Sequence, residues 1–233
     1  MSALETKKAS WHPSILTREI LEHCPEPCGR ILDGTLGDGG HTLALARRFP
    51  EATIIATEID PEMLDRARKR LAAEGQVPET VSYPWPVNRR AGIFLCNTSY
   101  SRVVSGGPFD FILLDLGVST YHLREAGRGF SFFDESLDMR FSPEGPTARD
   151  LLNDSSRADL ARILESCYLA PQAERLAERL IKGRPYSTAR DLTRLFPAGH
   201  RKHHPATLVF QALRMTVNQE LDFYNLDKSG WPS

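Results

Sequence analysis

The segment from Asp33 to Thr42 constrains the fold of this chain more than any other part of the sequence. It contains four glycines, follows a short apolar run at residues 31–32, and opens a stretch whose apolar residues recur at helical spacing. The predicted order is therefore a strand, a glycine-rich turn and a helix. Glycines let the backbone approach a ligand closely, and the N–H groups at the start of a helix face that ligand. This order predicts a pocket for a nucleotide-type cofactor.

An acidic residue stands in register with this pocket. Glu58 comes just after the next apolar run, residues 53–56. In pockets of this kind, an acid at the end of the second strand accepts hydrogen bonds from the ribose hydroxyls of an adenosine-containing cofactor. Glu58 is therefore the predicted ribose contact.

The spacing of the glycines distinguishes two classes of cofactor. A dinucleotide fingerprint has the pattern G-x-G-x-x-G, whereas the glycines here read G-x-x-G-x-G-G from Gly34 to Gly40. An acid at the end of the first strand, here Asp33, is typical of S-adenosylmethionine (SAM) pockets, where it can meet the amino-acid end of the cofactor. The pattern favours SAM, and a nicotinamide-dependent oxidoreductase is the alternative.

Composition and charge narrow the class of protein. The apolar fraction of 41% and the charged fraction of 25% are ordinary globular values. The net charge of −1 gives no overall attraction to nucleic acid, so RNA binding would depend on local basic clusters such as residues 175–184 and 201–204. No apolar run approaches the roughly 20 residues that span a bilayer, and the N-terminus lacks a signal-peptide core. We therefore expect no membrane association.

The cysteines are expected to be reduced thiols rather than a disulfide framework, which predicts a cytoplasmic location. There are four of them: Cys24, Cys28, Cys96 and Cys167. Cys24 and Cys28 have no second pair of ligands close by in the sequence, so no metal site is expected.

Strand and helix patterns alternate from residue 12 to residue 115, which is typical of a parallel α/β sheet. Strands are predicted at residues 30–33, 53–57, 93–96 and 109–114. Ligands bind beyond the carboxyl ends of the strands in open parallel sheets. The side chains that the sequence places at those ends are Asp33, Glu58, Asn97, Thr98 and Asp115.

The pattern changes to short helices from about residue 143, and a longer helix resumes after Pro205. We interpret the middle part as a helical insertion into the α/β domain. The predicted organisation is a core at residues 1–142, the insertion at residues 143–204, and a return to the core at residues 205–233.

Several further segments occur in a distinctive order. They read Leu-Leu-Asp-Leu-Gly-Val-Ser at 113–119, Arg-Gly-Phe-Ser-Phe at 128–132 and Leu-Asp-Met-Arg at 137–140. Together with His12-Pro13, the glycine segment and residues 204–207 and 210–214, they resemble the RsmH (MraW) family of bacterial SAM-dependent methyltransferases. The resemblance runs from about residue 12 to residue 221.

The resemblance implies a class I SAM-dependent methyltransferase fold, an α/β Rossmann-like domain with a mostly parallel sheet and a small helical insertion. It implies methylation of the exocyclic N4 of a cytidine in 16S ribosomal RNA, within the decoding region of the small ribosomal subunit. The helical insertion is then expected to dock the RNA.

The resemblance also implies a set of SAM contacts. Gly39, Gly40 and His41 fall on the family's Gly-Gly-His, and Glu58 falls on its ribose acid, which is usually Asp. Thr98 falls where the family has an aromatic residue near the adenine, with Asn97 as a rival for that contact. Asp115 matches the family's Asp, and His122 stands where the family usually has Gln.

Asp115 is the predicted catalytic residue. The N4 amine of cytosine is a poor nucleophile because its lone pair is conjugated into the ring. Methyl transfer therefore needs a positioned acceptor for a hydrogen bond and eventually a proton. The backbone carbonyls of Leu116 and Gly117 compete for this role, and Asp115 could instead only hold SAM or cap a loop. No cysteine stands at this strand tip, which disfavours methylation at carbon 5.

The RNA base must be unstacked to reach such a site, with an aromatic side chain as its receiver. Phe130, Phe132 and Phe133 are the candidates, and each could equally be a core residue. Three arginines could grip phosphates or brace loop carboxylates: Arg128, Arg140 and Arg214.

The family continues beyond residues 219–221 through further strands, whereas this sequence ends at Ser233. We expect a chain that is truncated relative to the family, with a sheet edge that a partner chain such as a second copy could cover. A catalytically inactive module that binds SAM or ribosomal RNA is then a further alternative.

Overall fold

The computed structural model describes residues 14–84, 90–124, 126–196 and 204–220. The predicted features at His12-Pro13, residues 201–203 and the tail at 227–233 lie outside the described residues. Contacts divide the chain into two compact units, Met1–Gly117 and Val118–Ser233.

The first unit contains a five-stranded sheet in which every pairing is parallel. Its order is β3-β4-β2-β1-β5. The strands are β1 (Arg30–Asp33), β2 (Thr53–Thr57), β3 (Glu79–Thr80), β4 (Gly92–Cys96) and β5 (Phe111–Leu113). The helices of this unit are α1 (Thr17–His23), α2 (Gly40–Arg48), α3 (Pro61–Ala73) and α4 (Tyr100–Val103). The predicted Rossmann-like α/β fold is confirmed.

Both faces of the sheet are covered. Ile31 packs with Leu45 of α2 in one apolar cluster, whereas its neighbour Leu32 packs with Ile55 and Val103 in another. Successive side chains of a strand point to opposite faces, and strands buried on both faces read as continuous apolar runs. This explains why β1 and β2 were visible in the sequence with their observed bounds.

The sheet order places a crossover beside β1. The chain builds β2, β4 and β3 on one side of β1 and then crosses to add β5 on the other side. At such a switch the loops leaving the carboxyl ends diverge and open a crevice, which is where ligands bind in open α/β sheets.

The second unit is helical in the part of it that the structure describes. Its helices are α5 (Thr120–Arg124), α6 (Ala148–Asp154), α7 (Arg157–Leu164), α8 (Ala170–Lys182), α9 (Ala189–Arg194) and α10 (Thr207–Val217). Helix α7 packs on α8, and α10 packs on both α6 and α7. Two capping boxes start α6 and α9, with Thr147 and Thr188 as the N-cap residues.

The division between the units differs from the predicted domain boundaries. It falls after Gly117 rather than after residue 142, and α10 packs with helices of the predicted insertion. The side chain of Asn218, just after α10, accepts a hydrogen bond from the backbone N–H of Phe141 at 2.8 Å and donates one to the Met139 carbonyl at 2.8 Å. These bonds join residues far apart in sequence, so the local helix pattern gave no sign of them.

Side-chain hydrogen bonds satisfy backbone carbonyls near the ends of α6 and α8. Tyr186 is buried, and its hydroxyl donates to the Leu180 carbonyl at 2.7 Å. The guanidinium of Arg184 donates to the carbonyls of Leu152 and Ser155 at the end of α6, at 2.7 and 2.5 Å. These bonds satisfy carbonyls that helix ends leave without partners.

Candidate active site

The glycine segment forms the turn between β1 and α2. Gly39 adopts a left-handed conformation with φ of 77°, and a Cβ there would lie 3.3 Å from the Cβ of Ala67 in α3. A Cβ on Gly40 would collide with the hydroxyl of Ser14. Both positions therefore require glycine, one because of its backbone angle and its close packing, the other because of its packing alone.

Asp33 holds this turn from inside. Its side chain is fully buried, Oδ1 accepts the N–H of Thr35 at 3.2 Å, and Oδ2 accepts the Thr42 hydroxyl at 2.6 Å. Burial raises the pKa of Asp33. Neither carboxylate oxygen is accessible from solvent, so Asp33 stabilises the loop. Asp33 therefore exposes no atom for the expected contact with the amino-acid end of a cofactor.

Glu58 lies immediately after β2 and contacts the glycine turn. One carboxylate oxygen accepts the N–H of Gly37 at 3.1 Å, and the other accepts the N–H of Asp60 at 2.9 Å. Burial raises the pKa of Glu58 to about 7, although both backbone hydrogen bonds act to lower it. The predicted ribose acid is thus hydrogen-bonded both to the glycine turn and to the start of α3, and its carboxyl group titrates near neutral pH.

Asn97 and Thr98 follow β4, beside the end of β2. The Asn97 amide donates to the carbonyls of Glu58 and Ile59 at 2.7 and 3.2 Å. Asn97 therefore ties the ends of two neighbouring strands together, a role that sequence reasoning did not foresee. Contact of Thr98 with an adenine stays a prediction.

Asp115 and His41 approach each other from β5 and α2. Nε2 of His41 lies 3.6 Å from Oδ2 of Asp115, whose side chain is 55% exposed. The backbone N–H of Asp115 donates to the Thr35 hydroxyl at 2.7 Å, which fixes the acid to the glycine turn. The structure therefore brings together two residues that are distant in sequence and leaves the carboxylate open to a ligand.

His41 contains a polar atom that the described residues leave unsatisfied. The residue is only 8% exposed, and its Nδ1 is buried with no hydrogen-bond partner among the described residues. Buried polar groups in folded proteins are nearly always hydrogen-bonded, so such an atom requires an explanation. Since this atom is out of reach of solvent, contact of His41 with a cofactor stays a prediction.

The ends of β1, β2, β4 and β5 therefore carry complementary groups. The turn after β1 offers tightly bent backbone at a helix start, the end of β2 offers a carboxylate, and the end of β5 offers a second, exposed carboxylate. This arrangement suits a nucleoside-type ligand and a hydrogen-bond acceptor beside it. No three His, Cys, Asp or Glu side chains among the described residues come together as a metal site would require.

His122 belongs to the second unit, in α5. Its side chain is buried, with Nδ1 2.9 Å from the Ser119 hydroxyl. The ring centroid lies 5.1 Å from that of Phe130 and 4.8 Å from that of Phe141. Its role as a cofactor contact stays a prediction.

Two of the three candidate phosphate-binding arginines act as internal braces. Arg140 donates to both carboxylate oxygens of Asp138 at 2.6 and 2.9 Å. Arg214 donates to both oxygens of Glu220 at 2.8 and 2.9 Å. Such bidentate pairs fix geometry strongly, so these guanidinium groups stabilise loops of the second unit.

In the part of the chain that the structure describes, no helix is long and apolar enough to cross a bilayer.

Comparison with known proteins gives one consistent result. The model of the MraW methylase family matches residues 9–227. The ribosomal RNA small subunit methyltransferase H of Koribacter versatilis is 35% identical over 225 residues, covering 91% of this chain and 69% of the relative. Those of Syntrophotalea carbinolica and Thermotoga neapolitana are 39% and 37% identical over 230 and 227 residues. These two alignments each cover 93% of this chain, and 70% and 73% of the respective relatives.

Proposed function

Because the chain belongs to the MraW methylase family, we propose that it transfers a methyl group from SAM to the N4 amine of a cytidine in the decoding region of 16S ribosomal RNA. The chain is a methyltransferase, and its relatives bear the name of ribosomal RNA small subunit methyltransferase H. The observation that carries the proposal is the pairing of a nucleoside-type crevice with an exposed carboxylate, Asp115, in a chain of this family. The nicotinamide alternative is set aside, since it has no support from the family match.

The residues at the strand ends fit SAM. The bent backbone at Gly39 and Gly40 would admit the cofactor closely, and Glu58 would accept hydrogen bonds from its ribose hydroxyls. His41, at the start of α2, would be a further contact, as the family resemblance implies. Thr98 and His122 are the other contacts that the family resemblance implies, with Thr98 near the adenine. When bound, SAM supplies an electrophilic methyl group on its sulfonium.

Asp115 then acts on the other reactant. Its carboxylate would accept a hydrogen bond from the N4 amine, turn the nitrogen lone pair toward the methyl group, and take up the proton that the amine loses. The bond from its backbone N–H to Thr35 holds it in place, and Nε2 of His41 lies 3.6 Å from its Oδ2. The carbonyls of Leu116 and Gly117 are the competing acceptors.

The proposed partner is 16S ribosomal RNA within the small ribosomal subunit, in the cytoplasm, and a homodimer is part of the same proposal. The helical second unit is the proposed docking element. In α8 the side chain of Arg175 is exposed, whereas Arg179 donates to the Leu195 carbonyl and lies over the Phe196 ring. Arg175 is therefore one residue of this basic cluster that remains open to RNA.

The test is transfer of labelled methyl groups from SAM to small ribosomal subunits that lack the modification, followed by identification of the nucleoside by mass spectrometry. We expect N4-methylcytidine. Folding of the purified protein is verified first by its thermal unfolding transition. Methylation of another atom would contradict the proposed target, and SAM binding without transfer would support the inactive binding module instead.

A further inference from the structure

The segment at residues 129–134, which we call the aromatic loop, contains three phenylalanines that the sequence presents as equivalent candidates. The structure separates them. Phe130 is 7% exposed and its ring stacks on Phe141, with centroids 5.2 Å apart and planes at 11°. Phe132 meets the edge of Phe210 at 4.7 Å. Phe133 is 76% exposed.

The backbone that carries Phe133 is held firmly. Oδ2 of Asp134 accepts the N–H groups of Gly129 and Ser131 at 2.8 and 3.2 Å, and the Ser131 hydroxyl accepts the N–H of Phe133 at 3.3 Å. Gly129 has φ of 90°, and a Cβ there would lie 2.8 Å from the Cα of Leu137. The loop therefore presents its exposed ring from a fixed position, so binding at that ring requires little ordering of the backbone.

The three carboxylates that follow Phe133 closely in the sequence each have a partner among the described residues. Asp134 accepts backbone N–H groups, Glu135 pairs with Arg190 at 2.7 Å, and Asp138 pairs with Arg140 at 2.6 Å. Uncompensated negative charge beside the ring would repel the phosphates of a nucleic acid. Two of these three carboxylates are paired with arginines, which reduces that repulsion.

We propose that Phe133 is a stacking platform for an unpaired base of the RNA substrate, an inference that rests on the proposed function. Proteins that recognise single-stranded RNA stack splayed bases on aromatic side chains. Phe130 and Phe132 anchor the loop through ring contacts, and Phe133 exposes its aromatic face. Stacking is tolerant of base identity, so Phe133 contributes affinity and position rather than sequence choice.

The test compares the binding of a short fluorescein-labelled single-stranded RNA by the wild-type protein and by F133A, F133L and F133W. Loss of one stacked base weakens affinity by about tenfold. We expect that loss in F133A and most of it in F133L, whereas F133W retains wild-type affinity because it restores an aromatic face. V77A is the matched control, since Val77 is a similarly exposed apolar residue that lies outside the proposed docking element, and it should bind RNA normally. The SAM dissociation constant should be the same in all of these proteins.

Three results would overturn the stacking role: unchanged RNA affinity in F133A, wild-type affinity in F133L, or no measurable RNA binding by the wild-type protein. The second would mean that apolar contact at this position, rather than aromatic stacking, supports RNA binding. Methyl transfer to small subunits is measured in parallel, where F133A should raise KM and leave kcat unchanged. Transfer by the wild type with normal RNA binding by F133A would retain the proposed function and reject the stacking role. RNA binding that depends on Phe133, without any methyl transfer, would support the stacking role and contradict the proposed function.

Discussion

The polar contacts that start helices in the second unit are local in the sequence, whereas those that build the candidate site in the first unit join distant residues. In the helical unit, the capping boxes at Thr147 and Thr188 join residues that are three positions apart. In the sheet unit, Glu58 contacts Gly37 across 21 positions, and the Asp115 N–H contacts Thr35 across 80. The helices of the second unit are therefore specified locally, whereas the candidate site exists only once the sheet has formed. Substitutions in the two units should accordingly separate loss of activity from loss of stability.

The largest effect is expected from Asp115→Asn. Loss of a general base lowers the rate of transfer by about 10²- to 10⁴-fold, and the fold should survive because the side chain is largely exposed. The backbone N–H to Thr35 bond is retained in this variant. Single-turnover methyl transfer measures the effect, and thermal unfolding verifies the fold.

Glu144→Gln is the control for Asp115→Asn, since it removes one exposed carboxylate of the second unit and should leave the rate unchanged. A wild-type rate in Asp115→Asn would exclude its carboxylate as the acceptor. The carbonyl of Leu116 or Gly117 would then be the remaining candidate at the end of β5.

The next effect is expected from Gly39→Val, which has an internal control in Gly75→Val. Both glycines have left-handed φ angles, 77° and 80°, but a Cβ at Gly39 would meet Ala67 while nothing lies within 4 Å of one at Gly75. Each variant should lose about 1–3 kcal/mol of stability through backbone strain. Only Gly39→Val should also weaken SAM binding, by about tenfold or more. Equal SAM affinity in the two variants, measured by calorimetry, would mean that the glycine turn is not the cofactor loop.

The elements that could be predicted from sequence are those with local or periodic signals. The bounds of β1 and β2 follow from continuous apolar runs, and α3 starts at Pro61 behind the Asp60 cap, whose side chain accepts the N–H of Glu62. The strand Glu79–Thr80 was not predicted, because both of its residues are exposed and it exists only through parallel pairing with β4. Local chemistry therefore identifies elements whose partners are near in sequence or whose burial is continuous.

The candidate site was predictable in position but not in its bonding. Glu58 and Asp115 lie at strand ends as the alternating pattern indicated. The complete burial of Asp33 and the clamp formed by Asn97 depend on contacts between strands, which a single sequence does not show. The same is true of Arg140, whose guanidinium could equally have faced solvent. Residue identities indicate which chemical groups a site contains, whereas packing decides which of those groups remain accessible.

A smaller and graded effect is expected from pH. Burial raises the pKa of Glu58 to about 7, and only the charged carboxylate can accept hydrogen bonds from both ribose hydroxyls at full strength. SAM affinity should therefore rise as pH increases through about 7 and fall below it, by up to about tenfold per pH unit. Calorimetric titrations of SAM across this range measure the slope.

Glu58→Gln should bind SAM more weakly and lose that slope, because an amide does not titrate. A slope that persists in Glu58→Gln would assign the titration to another group. A flat profile in the wild-type protein would contradict the ribose role of Glu58.

The smallest effect is expected from Tyr186→Phe in the helical unit. Removing the hydroxyl deletes its bond to the Leu180 carbonyl, which costs about 1 kcal/mol and lowers Tm by about 2–4 °C for a chain of this size. Tyr168→Phe is the matched control, since the Tyr168 hydroxyl has no hydrogen bond among the described residues, and its Tm should not change. SAM affinity should be normal in both variants, because the contacts of Tyr186 lie within the second unit. If Tyr186→Phe also weakened SAM binding, packing within the helical unit would affect the cofactor site. Substitutions in the two units would then not separate loss of stability from loss of SAM binding.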